Sequence, residues 1–239
     1  MSLNPFSAVS DYSSMLNKIA FFTFAISLLL TLLVCGQSPI AEEALSFCPI
    51  QIPILGAKFA LGLVLPALGI AIVARITKLH DRVSDLLGIR QAFDTEYILK
   101  GIVTKLGMNL TPEIDAAFKL SRDKIMADVF YRYASSGKDA AKIDSHYITL
   151  ALDQWCWFWI VVEGVVVSIA ASVVLLFLGQ YLAASVLLFL SVGVGILLLA
   201  CIWRACIRYA DAELDQILSD QNRRDEIHAR LHALQSSGA

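Results

Sequence analysis

The sequence predicts an all-α polytopic membrane protein: four transmembrane helices in two hairpins, with a helical cytosolic insert between them. Three observations predict it. The composition is 57% hydrophobic and 17% charged with a mean hydropathy of +0.67, which excludes a disordered chain and disfavours a wholly soluble one. Four apolar runs are each of about the length that crosses a hydrocarbon core of roughly 30 Å. The basic residues are sorted between the connections: twelve of the nineteen Lys and Arg fall from Arg75 to Lys142 and five from Arg204 to Arg230. The connections within the two hairpins carry none, so the termini and the insert are expected on the cytosolic side of an inner (plasma) membrane.

Residues 1–18 are read as a cytosolic segment, either a short amphipathic helix or a frayed lead-in. Only Lys18 precedes the first apolar run and no small-residue cleavage site follows it, so 19–36 is expected as a retained span rather than a cleaved signal. A loop with Pro39, Glu42, Glu43 and Pro49 leads to a second span at 53–75, which closes hairpin 19–75. The stripe Ile76, Leu79, Val83, Leu86 carries that span inward as a stalk to Gly88. Within the insert 76–152, Asp94 is expected to cap a helix ending at Gly107. Thr111-Pro112 is expected to start another that reaches Tyr133 and breaks at 135–137. Asp144 starts a helix that runs without a break into the third span. The second hairpin, 155–203, joins spans 155–178 and 182–203 through Gly179-Gln180-Tyr181, with Trp155, Trp157, Trp159 and Trp203 as an interfacial belt. The segment 204–239 reads as one helix to about Gln235, whose narrow apolar seam suits self-association or docking on the insert.

Glu163 is the first candidate for function. It lies eight residues past Trp155, about 12 Å into the bilayer at about 1.5 Å per residue. A carboxylate there either lines an ion pathway and holds a proton, or is a hydrogen-bonded strut between helices. Lys58, in the second span, is either its ion-pair partner or a side chain that snorkels outward. Pro66 frees a carbonyl at mid-span and marks a gate or a bend. Small residues form stripes that let helices approach closely: Gly56, Ala60 and Ala67 on the second span, Gly164 and Ser168 on the third, Ser191 and Gly195 on the fourth.

No zinc spacing is present among Cys35, Cys48, Cys156, Cys201 and Cys206, and Cys35 and Cys48 are read as unpaired thiols unless an oxidising compartment bridges them. His228 and His232 share a helix face with Asp225, but two imidazoles on a solvated face make no metal site. No nucleophile–base set can be assembled, so no enzyme, cofactor or metal is expected, and a net charge of −2 gives no reason to expect nucleic acid.

The layout of hairpin 19–75, insert 76–152 and hairpin 155–203 resembles the four-helix membrane subunits of bacterial antiphage systems, of the Kiwa type and the cyclic-nucleotide-signalling effector kind. That resemblance implies an antiphage sensor or effector and transfers no individual residue. The resulting expectation is a homo-oligomer in the lipid bilayer. Its insert 76–152 and helix 204–239 receive a cytosolic protein partner or signal, and its spans alter permeability. Two alternatives stand beside it: a non-conducting anchor for a soluble partner, and a small transporter with a midplane carboxylate.

Overall fold

A computed structural model describes residues 8–46, 48, 50–54, 57–135 and 143–237, and these are all-α apart from one small β-hairpin. The chain divides into two compact units: residues 13–82 with 156–202, and residues 8–12, 83–155 and 203–239.

In the first unit, α1 (Tyr12–Gln37) is followed by the short α2 (Pro39–Leu45), which starts at an N-cap where Ser38 Oγ accepts from the Ala41 amide. The second apolar run then departs from the expected span at 53–75. Residues Gln51–Ile54 (β1) and Ala57–Ala60 (β2) form an antiparallel pair in which Lys58 faces Pro53. The physical reason lies in the sequence: Pro53 cannot sit inside a helix without losing a hydrogen bond, and Ile50, Ile52 and Ile54 favour extended backbone. The helix α3 begins only at Leu61 and runs to Ile76.

Nor does α3 continue as a straight stalk. Thr77 Oγ1 donates to the Val73 carbonyl, Lys78 takes a positive φ of 49°, and α4 (Leu79–Leu87) leaves at 57° to α3. At 16 residues α3 is about 24 Å long, short of a bilayer core of about 30 Å. Three helices are long and apolar enough to cross a membrane: α1, α9 (Ser145–Phe177) and α10 (Tyr181–Leu218). The bent pair α3–α4 makes a fourth crossing only if it acts as one span. The tight turn between α9 and α10 forms where the sequence places it, with Gly179 at a φ of 75° that only glycine adopts without strain.

Small residues serve packing inside this unit. Ala67, Ala71 and Ala74 are buried on α3, and Ala67 meets Leu28 of α1 and Val64 in one cluster. Gly164 faces Ile26 of α1, and a Cβ on Gly195 would press on Val165, so α10 lies close against α9. Ser168 is buried, while Ser191 bonds its own helix at the Leu188 carbonyl. Ala60 sits in β2 rather than on a helix face, and Gly56 lies outside the described residues.

The second unit is a small helical core. α5 (Ile89–Phe93) and α6 (Lys100–Lys105) flank a π-helical stretch, Asp94–Leu99, so Asp94 is inside a continuous helical run rather than capping one. Gly107 ends that run at a φ of 70°. Thr111 caps α7 (Pro112–Leu120) by accepting from the Ile114 amide at 3.5 Å. The helix expected to reach Tyr133 is interrupted at Ser121, resumes as α8 (Arg122–Met126) and widens into a second π stretch, Ala127–Tyr131. Phe93, Trp155, Trp203 and Tyr97 form an aromatic cluster with centroids 4.7 to 6.0 Å apart, edge-to-face except for the tilted Phe93–Tyr97 pair. The C-terminal segment is two helices, because α10 stops at Leu218 and Asp220 caps α11 (Gln221–Ser237) through the Arg223 amide. The apolar stripe of α11 docks inward: Ile227 and Leu231 are fully buried, and Glu226 accepts from Tyr133 at 2.8 Å and from Arg132 and Arg230.

Candidate functional site

One side of α1 carries its buried residues at helical spacing, Met15, Ile19, Thr23 and Ser27, so two hydroxyls sit on the face that packs inside the unit. Glu163 of α9 comes to that face and is only 2% exposed. Thr23 Oγ1 donates to Glu163 Oε2 at 2.6 Å, a short hydrogen bond between two helices. The other carboxyl oxygen, Oε1, lies 3.4 Å from Nδ1 of His80, the second residue of α4. His80 is also buried, with its ring 6.0 Å from that of Trp159, one turn before Glu163. Its Nε2 has no hydrogen-bond partner among the described residues, and Asp81 Oδ1 is 3.6 Å away.

Thr23 donates to Oε2, so Oε1 is the carboxyl oxygen that faces the His80 imidazole. The bend at Thr77–Lys78 brings His80 to this place, since a straight continuation of α3 would carry it elsewhere. Lys18, also buried, lies 4.6 Å over the Trp157 ring, and Arg75 of α3 donates to Asn17 of α1 at 3.0 Å.

Of the residues expected to matter, Glu163 is placed at the centre of this cluster. Lys58 is exposed in β2, and the partners of Glu163 are Thr23 and His80. Pro66 lies within α3, which runs through it without interruption. Sequence reasoning missed both partners. The i,i+4 pair Thr23 and Ser27 inside an apolar run was the available signal for one. His80 gave none, since its place depends on the bend.

A second polar group sits in the helical unit. Asp94 is 5% exposed, with Oδ2 3.9 Å from Arg90 Nε and 3.7 Å from Arg122 Nε. Arg90 donates to the Tyr131 hydroxyl at 3.3 Å, which links the two π stretches. Burial pushes the Asp94 carboxyl up to about 6, and the two guanidiniums, just beyond hydrogen-bond distance, only partly counter it. Beside the cluster is a polar cavity of about 550 Å³ bordered by Asp85, Lys119, Arg122, Asp123 and Lys124. Among the described residues, no three His, Cys, Asp or Glu side chains come together to hold a metal, and all five cysteines are free thiols.

Residues 11–228 match the family described as the YmfE protein family. The chain belongs to that family. No curated protein and no solved structure matches it. The YmfE match covers both units and includes Thr23, His80 and Glu163, but it gives no link to Kiwa or cyclic-nucleotide defence systems.

Proposed function

We propose that this YmfE-family chain is a homo-oligomeric inner-membrane protein whose helical module receives a signal or partner and whose membrane bundle then changes permeability. The observation that supports it is the burial of His80 against Glu163. An ionisable pair enclosed by apolar helices is costly to keep and marks a functional element by default. The imidazole belongs to α4, and the chain runs on from α4 directly into residues 83–155. A shift of α4 therefore removes the imidazole and leaves a carboxylate in the bundle with only Thr23. That carboxylate takes up a proton or draws in water, and a wetted acidic face is what a cation path requires.

Several copies are invoked because Glu163 is enclosed within a single chain, so a path for ions has to be assembled between chains. The apolar stretch of α10 is 6% buried, which leaves it as the face for lipid or for other copies. The cytosolic placement of both termini, of 76–152 and of 204–239 rests on the sorting of basic residues. The polar cavity beside Asp94 is where a soluble partner or ligand has charged groups to meet.

The test is ion flux from liposomes carrying the wild-type protein or Glu163→Gln. The glutamine keeps an acceptor for Thr23, so assembly is preserved while the charge is lost, and the ion leak is expected to change. Absence of leak from both proteins, together with partner recovery that is lost on deleting 205–239, would establish the anchor reading instead. Uptake that depends on a solute and on pH would establish the transporter reading.

A further inference from the structure

Between α1, α3 and α9 in the first unit lies a cavity of about 720 Å³, walled by Leu30 and Val34, Gly69 and Val73, and Ala170 and Val174. Gly69, Val73, Ala170 and Val174 are exposed, so the cavity opens to the outside of the bundle. No charged side chain is among its described walls. Its three hydroxyls leave little for a polar ligand. Thr31 donates to the Ser27 carbonyl and Thr77 to the Val73 carbonyl, and Ser27 Oγ alone is unpaired. Water is a poor occupant, since a buried water needs about two to four polar partners. A void would forfeit the dispersion contacts of every wall atom.

We infer that this cavity takes one acyl chain of a membrane phospholipid. Its volume falls inside the range of about 300–1,000 Å³ typical of ligand sites. A helix from a second copy does not fit: ten residues, about 15 Å long and about 10 Å across, fill roughly 1,200 Å³. An unbranched chain enters from the side of the bundle through the small residues Gly69 and Ala170. It contacts only apolar atoms, and Ser27 needs no ligand partner because a helical serine can turn to its own i−4 carbonyl. Pro66, Thr77 and Leu79 also border the cavity, so the occupant packs against both arms of the α3–α4 bend, up to the residue before His80. The seated chain thus wedges the bend that presents the imidazole to Glu163.

This inference rests on the membrane reading of the spans and not on any change in permeability. It is tested by native mass spectrometry of the full chain released from mild detergent after reconstitution with phosphatidylethanolamine and phosphatidylglycerol. One phospholipid per chain is expected to stay bound. Gly69→Leu and Ala170→Leu fill the cavity, and a Cβ at position 69 meets open space, so both are expected to fold and to retain lipid about tenfold less or weaker still. Retention as in the wild type by both folded variants, or none by the wild type, overturns the inference. A phospholipid with a photoreactive acyl chain gives a readout that needs no variant. Cross-links in 27–34, 66–79 or 166–174 support the site, and cross-links confined to other segments overturn it. A chain that stays in solution without detergent would instead remove the membrane reading itself.

Discussion

Thr23 supplies the only side-chain hydroxyl bonded to Glu163 among the described residues, so the two positions should respond differently to substitution. Thr23→Val leaves Oε2 buried without its donor and is expected to lower stability by about 1–2 kcal/mol, the upper end for interhelical hydrogen bonds in membranes. Glu163→Gln, which still accepts from Thr23, should cost less. Thermal unfolding in detergent, followed by helicity, ranks the two, and the reverse order would remove the hydrogen bond from the account. In the helical unit, Asp94 makes a pH prediction. Its carboxyl is held at about 6 rather than 3.8, chiefly by burial. The folded protein therefore binds more protons than the unfolded chain between those values, so stability falls as pH rises from about 4 to about 6 and then levels off. Asp94→Asn should flatten that slope and stabilise at pH 7 by up to about 3 kcal/mol. A variant less stable than the wild type at pH 7 would show that Arg90 and Arg122 outweigh burial. At this scale Glu163 was legible in the sequence, because one charge in an apolar run stands out. Asp94 was read as a helix cap and lies instead buried within a helical run, since periodicity around it is distorted by the π stretch.

Helix ends were the most legible elements, because each depends on a few neighbouring residues. Thr111-Pro112, Asp144, Gly107 and Gly179 all act where their chemistry places them. The β-hairpin at 51–60 and the bend at 77–78 were not legible, because hydropathy reports burial in lipid or protein alike and says nothing of backbone direction. Pro53 and the isoleucines beside it bias 50–54 to extended backbone, and a tertiary contact adds to that bias. A Cβ at Gly62 would overlap the carbonyl oxygen of Leu45 at the end of α2, so the start of α3 is fixed by a backbone approach that only glycine permits. Gly62→Ala is accordingly expected to destabilise by about 1–3 kcal/mol in thermal unfolding. A neutral effect would mean that α2 and α3 do not meet there. The seam of this C-terminal segment left self-association and docking on the insert open, and within the helical unit Ile227 and Leu231 of α11 are fully buried.

For the whole molecule, the number of crossings decides whether the helical module and Cys48 lie on the same side of the membrane. Among the described residues three helices are long and apolar enough to cross by themselves, and the short α3 joined to the bent α4 makes a fourth only if the pair acts as one span. With four crossings, residues 83–135 lie on the cytosolic side with both termini, and Cys48 lies outside. With three, the bent pair re-enters, and the module lies on the same side as Cys48. The sorting of basic residues argues for an internal module with either number, because seventeen of the nineteen lie at or beyond Arg75 and outside the short hairpin connections, so the side on which Cys48 lies tells the two apart. The deciding measurement is thiol labelling with a membrane-impermeant reagent, in a chain whose other cysteines are replaced. Cys48 and an introduced Ser121→Cys are compared in intact and permeabilised cells. Labelling of Cys48 in intact cells, with position 121 reached only after permeabilisation, is the result predicted. Labelling of both positions in intact cells would contradict an internal receiver joined through α4 to the Glu163–His80 pair.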